Sequence, residues 1–125
     1  MLRKRPQISI VNYDAMTYAG NPANLADVAN DARYRFVRGD ICDAAAVADA
    51  LELGPVDAIV NFAAETHVDR SILDPEAFLR TDILGTHVLL EAVRRRKIER
   101  FLQVSTDEVY GHVASGASTE SDTIA

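Results

Sequence analysis

An α/β fold built on a parallel sheet is the expectation from three observations. Segments rich in apolar and β-branched residues alternate along the chain with helical patterns. Two of these segments are nearly continuous apolar runs, as strands covered on both faces require. Each segment also ends in a small or polar residue, which puts reactive groups at the carboxyl edge where such sheets gather ligands.

The strands are expected at "ISIVNYD" (8–14), "RYRFVRGD" (33–40), "DAIVNFAA" (57–64) and "RFLQVSTD" (100–107). Between them come a short helical pattern near Asn24 to Ala29, a helix over Ala44 to Leu53 capped by Asp43, and a long helix from Pro75 to Arg96. Asp74 followed by Pro75 is a start signal, because the carboxylate satisfies a free amide and proline suits the first helical position. Leu79, Ile83, Thr86, Leu90 and Val93 recur at steps of four and three, so they form the face expected to be core. Gly85 within that helix costs about 1 kcal/mol against alanine and is read as a site of close backbone approach.

The 125 residues carry 13 basic and 19 acidic side chains, a net charge of -6 that opposes general binding to nucleic acid or an anionic membrane. The run Arg94 to Lys97 closes the long helix, where cations complement the helix dipole. Cys42 is the only cysteine, so no internal disulfide forms and a reducing, cytoplasmic setting is expected. No apolar run reaches the roughly 20 residues of a membrane span. His67, His87 and His112 lack any ligand spacing, and no metal site is expected.

Asp14 ends the first strand, as a turn or cap residue or as acceptor for the two hydroxyls of a ribose. No Lys or Arg lies between Arg5 and Arg33, so a 2'-phosphate would meet this carboxylate without a neighbouring cation in sequence, which favours NAD over NADP. Asp40 is either a turn aspartate or an acceptor for an adenine amino group, with Ile41 packing on the ring. The small residues of "FAAET" (62–66) suit either a tight crossing or close approach of a cofactor. Asp107 and Glu108 are either a solvated acidic loop or an acid and base for an elimination, provided the backbone turns there to bring both to one substrate.

Taken together, "YDAMTYAGNPANL", "YRFVRGDICD", "VNFAAETHVDRSILDPEAFLRTDILGTHVLLEA" and "FLQVSTDEVYG" closely resemble the nucleotide-sugar 4,6-dehydratases of the extended short-chain dehydrogenase/reductase superfamily, from about residue 8 onward. The resemblance implies a Rossmann-type sheet and a lyase of deoxysugar biosynthesis. In that reaction bound NAD oxidises C4 of a nucleotide-hexose, dTDP-glucose foremost, water leaves across C5 and C6, and the hydride returns to C6. It implies that Asp107 protonates the leaving hydroxyl, Glu108 removes the C5 proton and Thr106 lies near the C4 oxygen. It implies cofactor contacts from Asp14, Ala15, Met16, Thr17, Asp40, Ile41, Phe62, Ala63, Ala64, Glu65, Thr66 and Thr81, with Thr66 and Thr106 also facing the substrate. Family members are expected to be homodimers. Thr66 stands where serine is usual, and Asp82 where asparagine is common, so an amide that can donate becomes a carboxylate that only accepts when ionised.

The family also has a first strand with a Gly-rich turn ahead of "ISIVNYD", and a Tyr-x-x-x-Lys and substrate domain after the loop at 111–123. Neither pattern is in the chain, and Tyr110 belongs to the TDEVYG motif. The expectation is therefore a partial NAD-binding domain over 1–125, with the substrate domain absent, Met1 an internal methionine and the isolated chain inactive. The alternatives are a noncatalytic Rossmann-like module, or a segment of a nucleotide-sugar epimerase or decarboxylase; the paired acids favour a dehydratase, since an epimerase expels no water. In the family's strand order the missing strand would lie between 8–14 and 57–64. Residues 8–13 are then expected to pair directly with 58–63, or the open edges to associate, or the chain to fold poorly with weak NAD affinity.

Overall fold

The structure is a computed structural model that describes residues 1–113 and 115–124. Among the described residues four short strands form two parallel pairs: β1 (Ile10–Asp14) with β2 (Tyr34–Arg38), and β3 (Ala58–Asn61) with β4 (Arg100–Gln103). The registers run from Ile10 opposite Tyr34 to Asp14 opposite Arg38, and from Ala58 opposite Arg100 to Asn61 opposite Gln103. β1 and β3 are not paired with each other, so of the three outcomes expected for the middle of the sheet, direct closure is not the one adopted. Among the described residues each of these two strands keeps one edge without a strand neighbour.

One layer of helices spans both pairs. The Asp43 carboxylate accepts from the amides of Ala45 and Ala46, both at 3.0 Å, and starts α1 (Ala44–Ala50), which ends in a 3₁₀ turn over Leu51–Leu53. α2 (Val68–Leu73), which periodicity did not reveal, precedes α3 (Pro75–Phe78), whose Asp74 cap accepts from Ala77 at 3.3 Å. α3 continues through a π-helical stretch, Leu79–Gly85, into α4 (Thr86–Arg96). Near Asn24 only a 3₁₀ turn forms, Pro22–Leu25.

Ile41, Val47 and Leu89 are the buried centre, with Tyr13, Ala63, Val88, Ala92 and Phe101 packed around them. Side chains from both strand pairs and from α1 and α4 thus meet in one small core. The opposite face leaves Phe36, Val60 and Leu102 exposed, so the sheet is covered on one face rather than on both as the apolar runs suggested.

The face expected to be core in the long helix is also corrected. Leu79, Ile83 and Leu90 are 59, 63 and 46% exposed, whereas Gly85 and Leu89 are buried. The π stretch is the cause: bonding from i to i+5 takes more residues per turn than an α-helix, so a pattern read at 3.6 loses its phase there. Gly85 does serve close approach, since a Cβ on it would lie 2.6 Å from Ile41 Cγ1. The basic run ends α4 as expected, with Arg94 held by Glu91 at 2.8 Å, Arg96 paired with Glu52, and Lys97 closing the helix at a φ of 56°.

Candidate active site

At the end of β1, Asp14 Oδ1 accepts from the Met16 amide at 2.7 Å and holds a turn in which Met16 has a φ of 54°. Thr17 extends that turn, its carbonyl accepting from Gly20. Arg38, opposite Asp14 in the register, donates through Nε to the Ala15 carbonyl at 3.4 Å. A cation therefore does stand beside the Asp14 turn. The sequence window from Arg5 to Arg33 missed it, because strand pairing brings it from 24 residues away.

At the end of β2, the Cys42 amide donates to Asp40 Oδ1 at 2.8 Å and Arg80 lies 3.5 Å from Oδ2. The Cys42 hydrogen bond foremost, with the Arg80 cation, holds the Asp40 carboxyl below the usual carboxylate range. Tyr13 donates to the Asp40 carbonyl at 3.0 Å, and burial foremost pushes its phenol up, which keeps it a neutral donor. The Ile41 side chain points into the core against Val47 and Leu89, so it is not free to pack on an adenine ring as expected. Burial also raises the Cys42 thiol, which donates to the Arg80 carbonyl at 3.1 Å; it is a packed thiol and not a nucleophile.

A carboxyl whose folded pKa is depressed, as that of Asp40 is, stabilises the fold above its ordinary value of about 3.9 and loses that contribution as pH falls through the folded value. Urea midpoints measured from pH 7 downward are expected to fall less steeply below about pH 4 in Asp40→Asn than in the parent. Parallel curves would remove Asp40 from the acid response.

The turns after β3 and β4 are brought side by side. Asn61 and Gln103 are register partners, and buried Asn61 donates to Gln103 Oε1 at 2.9 Å while accepting from the Ala63 amide at 3.1 Å. This cross-strand tie, which no motif announced, positions the 62–66 turn beside the one that opens at Thr106. Phe62, Ala64 and Thr66 are exposed, Ala63 packs on the core, and Thr81 is half-buried on the π stretch. The Glu65 amide donates to Asp82 Oδ1 at 2.9 Å, and Tyr18 donates to Glu65 Oε2 at 3.3 Å. A position usually held by asparagine thus needs only an acceptor here, and a carboxylate meets that need. Tyr18 also stacks obliquely on His67, 5.8 Å between ring centres, so the turns after β1 and β3 touch across the two strand pairs.

Beyond β4, Thr106 caps a 3₁₀ turn over Asp107–Tyr110: its Oγ accepts from the Glu108 amide at 3.3 Å and lies 3.3 Å from Asp107 Oδ1. The backbone turn required to bring both acids to one substrate is present, since successive residues of a 3₁₀ helix are rotated by about a third of a turn rather than opposed. Both carboxylates are exposed, and Gly111 closes the turn at a φ of 70°. Among the described residues no cluster of His, Cys, Asp and Glu could hold a metal, and no helix is long and apolar enough to cross a membrane.

Comparison with known proteins fits this geometry. A dTDP-glucose 4,6-dehydratase of Streptomyces griseus is 50% identical over 117 residues, which cover 94% of this chain and 35% of that protein. One from Streptomyces niveus is 54% identical over 112 residues, 90% of this chain and 33% of that protein. A Streptomyces venezuelae dTDP-glucose 4,6-dehydratase solved with NAD bound superposes with a TM-score of 0.85 at 49% identity, covering 98% of this chain and 38% of that one. A UDP-Glc/GlcNAc 4-epimerase of Campylobacter jejuni reaches 0.83 at 25% identity, over 99% of this chain and 37% of that one. The chain spans about a third of the length of the curated relatives it matches. Residues 1–125 match the family described as GDP-mannose 4,6 dehydratase, and with its parallel strand pairs and flanking helices the chain belongs to that family.

Proposed function

We propose that this chain is the cofactor-binding part of an NAD-dependent dTDP-glucose 4,6-dehydratase, acting on a nucleotide-hexose to give a 4-keto-6-deoxy sugar nucleotide. The observation that carries the reading is the Asn61–Gln103 tie. It sets a turn of small residues beside a Thr106-capped turn bearing two acids, at adjacent strand ends. The residues fit the cofactor. Asp14 uses one oxygen for its own turn and leaves Oδ2 for ribose hydroxyls, and Asp40 is an ionised acceptor for an adenine amino group. Ala63 and Ala64 allow close backbone approach at the β3 end. Ala15 to Thr17, the Ile41 backbone, Phe62, Glu65, Thr66 and Thr81 complete that edge.

NAD, when bound, supplies hydride exchange with the sugar. The chain's own residues handle protons: Glu108 takes the C5 proton, Asp107 gives one to the departing C6 hydroxyl, and Thr106 orients Asp107 and faces the C4 oxygen, with Thr66 nearby. The exposed strip Leu79, Ile83 and Leu90 is the surface a homodimer of the longer protein would bury, and the setting is cytoplasmic. To test the reading, the matching segment of the Streptomyces griseus dehydratase is replaced by this chain. The hybrid is expected to convert dTDP-glucose to its 4-keto-6-deoxy product, followed by mass spectrometry. A folded hybrid that binds NAD yet yields only the C4 epimer would overturn the assignment.

A further inference from the structure

We infer that Arg38 is a latent 2'-phosphate site and that the Asp14 carboxylate alone keeps it closed. The inference rests on the dinucleotide reading above and concerns which dinucleotide the edge accepts. Asp14 and Arg38 are register partners at the ends of paired parallel strands, so their side chains leave the sheet on the same face. Both reach the same turn: Asp14 Oδ1 accepts from Met16 at its far end, and Arg38 Nε donates to the Ala15 carbonyl at its near end. The two charges do not form an ion pair with each other. Among the described residues neither is in an ion pair with any other group. Arg38 therefore holds its guanidinium beside the Asp14 turn, where one weak bond to a carbonyl sets its direction and its terminal N–H donors have no partner among the described residues.

A ribose 2'-hydroxyl can donate to Asp14 Oδ2. A phosphate at that position cannot, and its charge would face a carboxylate at hydrogen-bond distance, which is the unfavourable contact that rejects it. The guanidinium that would hold such a phosphate is already in place on the neighbouring strand, since a planar fork of donors is the group that matches phosphate oxygens. Removal of one carboxylate, with no cation added, is then enough to change the preference.

The experiment uses the hybrid dehydratase carrying this segment, with NAD and NADP titrated separately by calorimetry. The parent is expected to bind NAD the more tightly. Asp14→Ser is expected to weaken NAD and to tighten NADP by about tenfold or more. Adding Arg38→Ala to Asp14→Ser is expected to abolish the NADP gain while leaving NAD binding as in the single variant. A NADP affinity unchanged by Asp14→Ser, or a gain that survives Arg38→Ala, overturns the inference while leaving the NAD reading intact. A folded parent that binds neither dinucleotide overturns that reading, and this inference with it.

Discussion

Asp107→Asn and Glu108→Gln, each in a full-length dehydratase carrying this segment, are expected to lose about 10²- to 10⁴-fold in release of 4-keto-6-deoxy product while still binding the nucleotide sugar and reducing some NAD. The expected loss follows from the division of labour proposed for the β4 end. Oxidation at C4 makes the C5 proton acidic, and only then are a base for that proton and an acid for the C6 hydroxyl required. Asp107 and Glu108 share one 3₁₀ turn capped by Thr106, so both isosteric changes leave the backbone geometry in place and remove only proton transfer. Reduced cofactor absorbing in the near ultraviolet without product is the expected signature. Product at the parent rate from either variant would remove that residue from the mechanism, and loss of both signals would assign it to binding.

Gly39→Ala is expected to destabilise the fold by about 1–3 kcal/mol, out of the roughly 5–15 typical of a domain. A Cβ at residue 39 would fall well inside van der Waals contact of Tyr13 Oη and Cζ, and within 2.5 Å of Cε2. The ring has little freedom to move aside, because its hydroxyl donates to the Asp40 carbonyl and its body packs on the core. Gly39 does not adopt the left-handed conformation, so the obstacle is the ring and not the backbone. Chemical denaturation of a double-mutant cycle checks this: Gly39→Ala is expected to cost markedly less in a Tyr13→Leu background. Equal cost in both backgrounds would show that the clash is not with Tyr13.

Several features of this molecule are legible in its amino-acid sequence. Asp43 and Asp74 start helices because a cap depends on residues within one turn of it, and both carboxylates accept the amides expected of them. The four strands lie within the segments proposed, shorter at their ends, and the family motifs place Thr106, Asp107 and Glu108 where the chain leaves β4. Gly85 is recognisable as a close approach because nothing else justifies its helix cost.

What composition and spacing determined was therefore local: element types, caps, the alternation that makes an α/β fold, and the motifs that mark the family. Tertiary structure alone decided which distant groups meet. Register placed Arg38 beside the Ala15 carbonyl and Asn61 against Gln103, and the crossing of helix and sheet turned Ile41 into the core and set Asp82 under the Glu65 amide. The π stretch moved Leu79, Ile83 and Leu90 out of the core face that a regular 3.6 period assigns them. The physical reason is one of range. Caps and periodicity depend on contacts within a few residues, whereas register and helix phase are chosen by packing between segments tens of residues apart, and a single sequence does not reveal that choice.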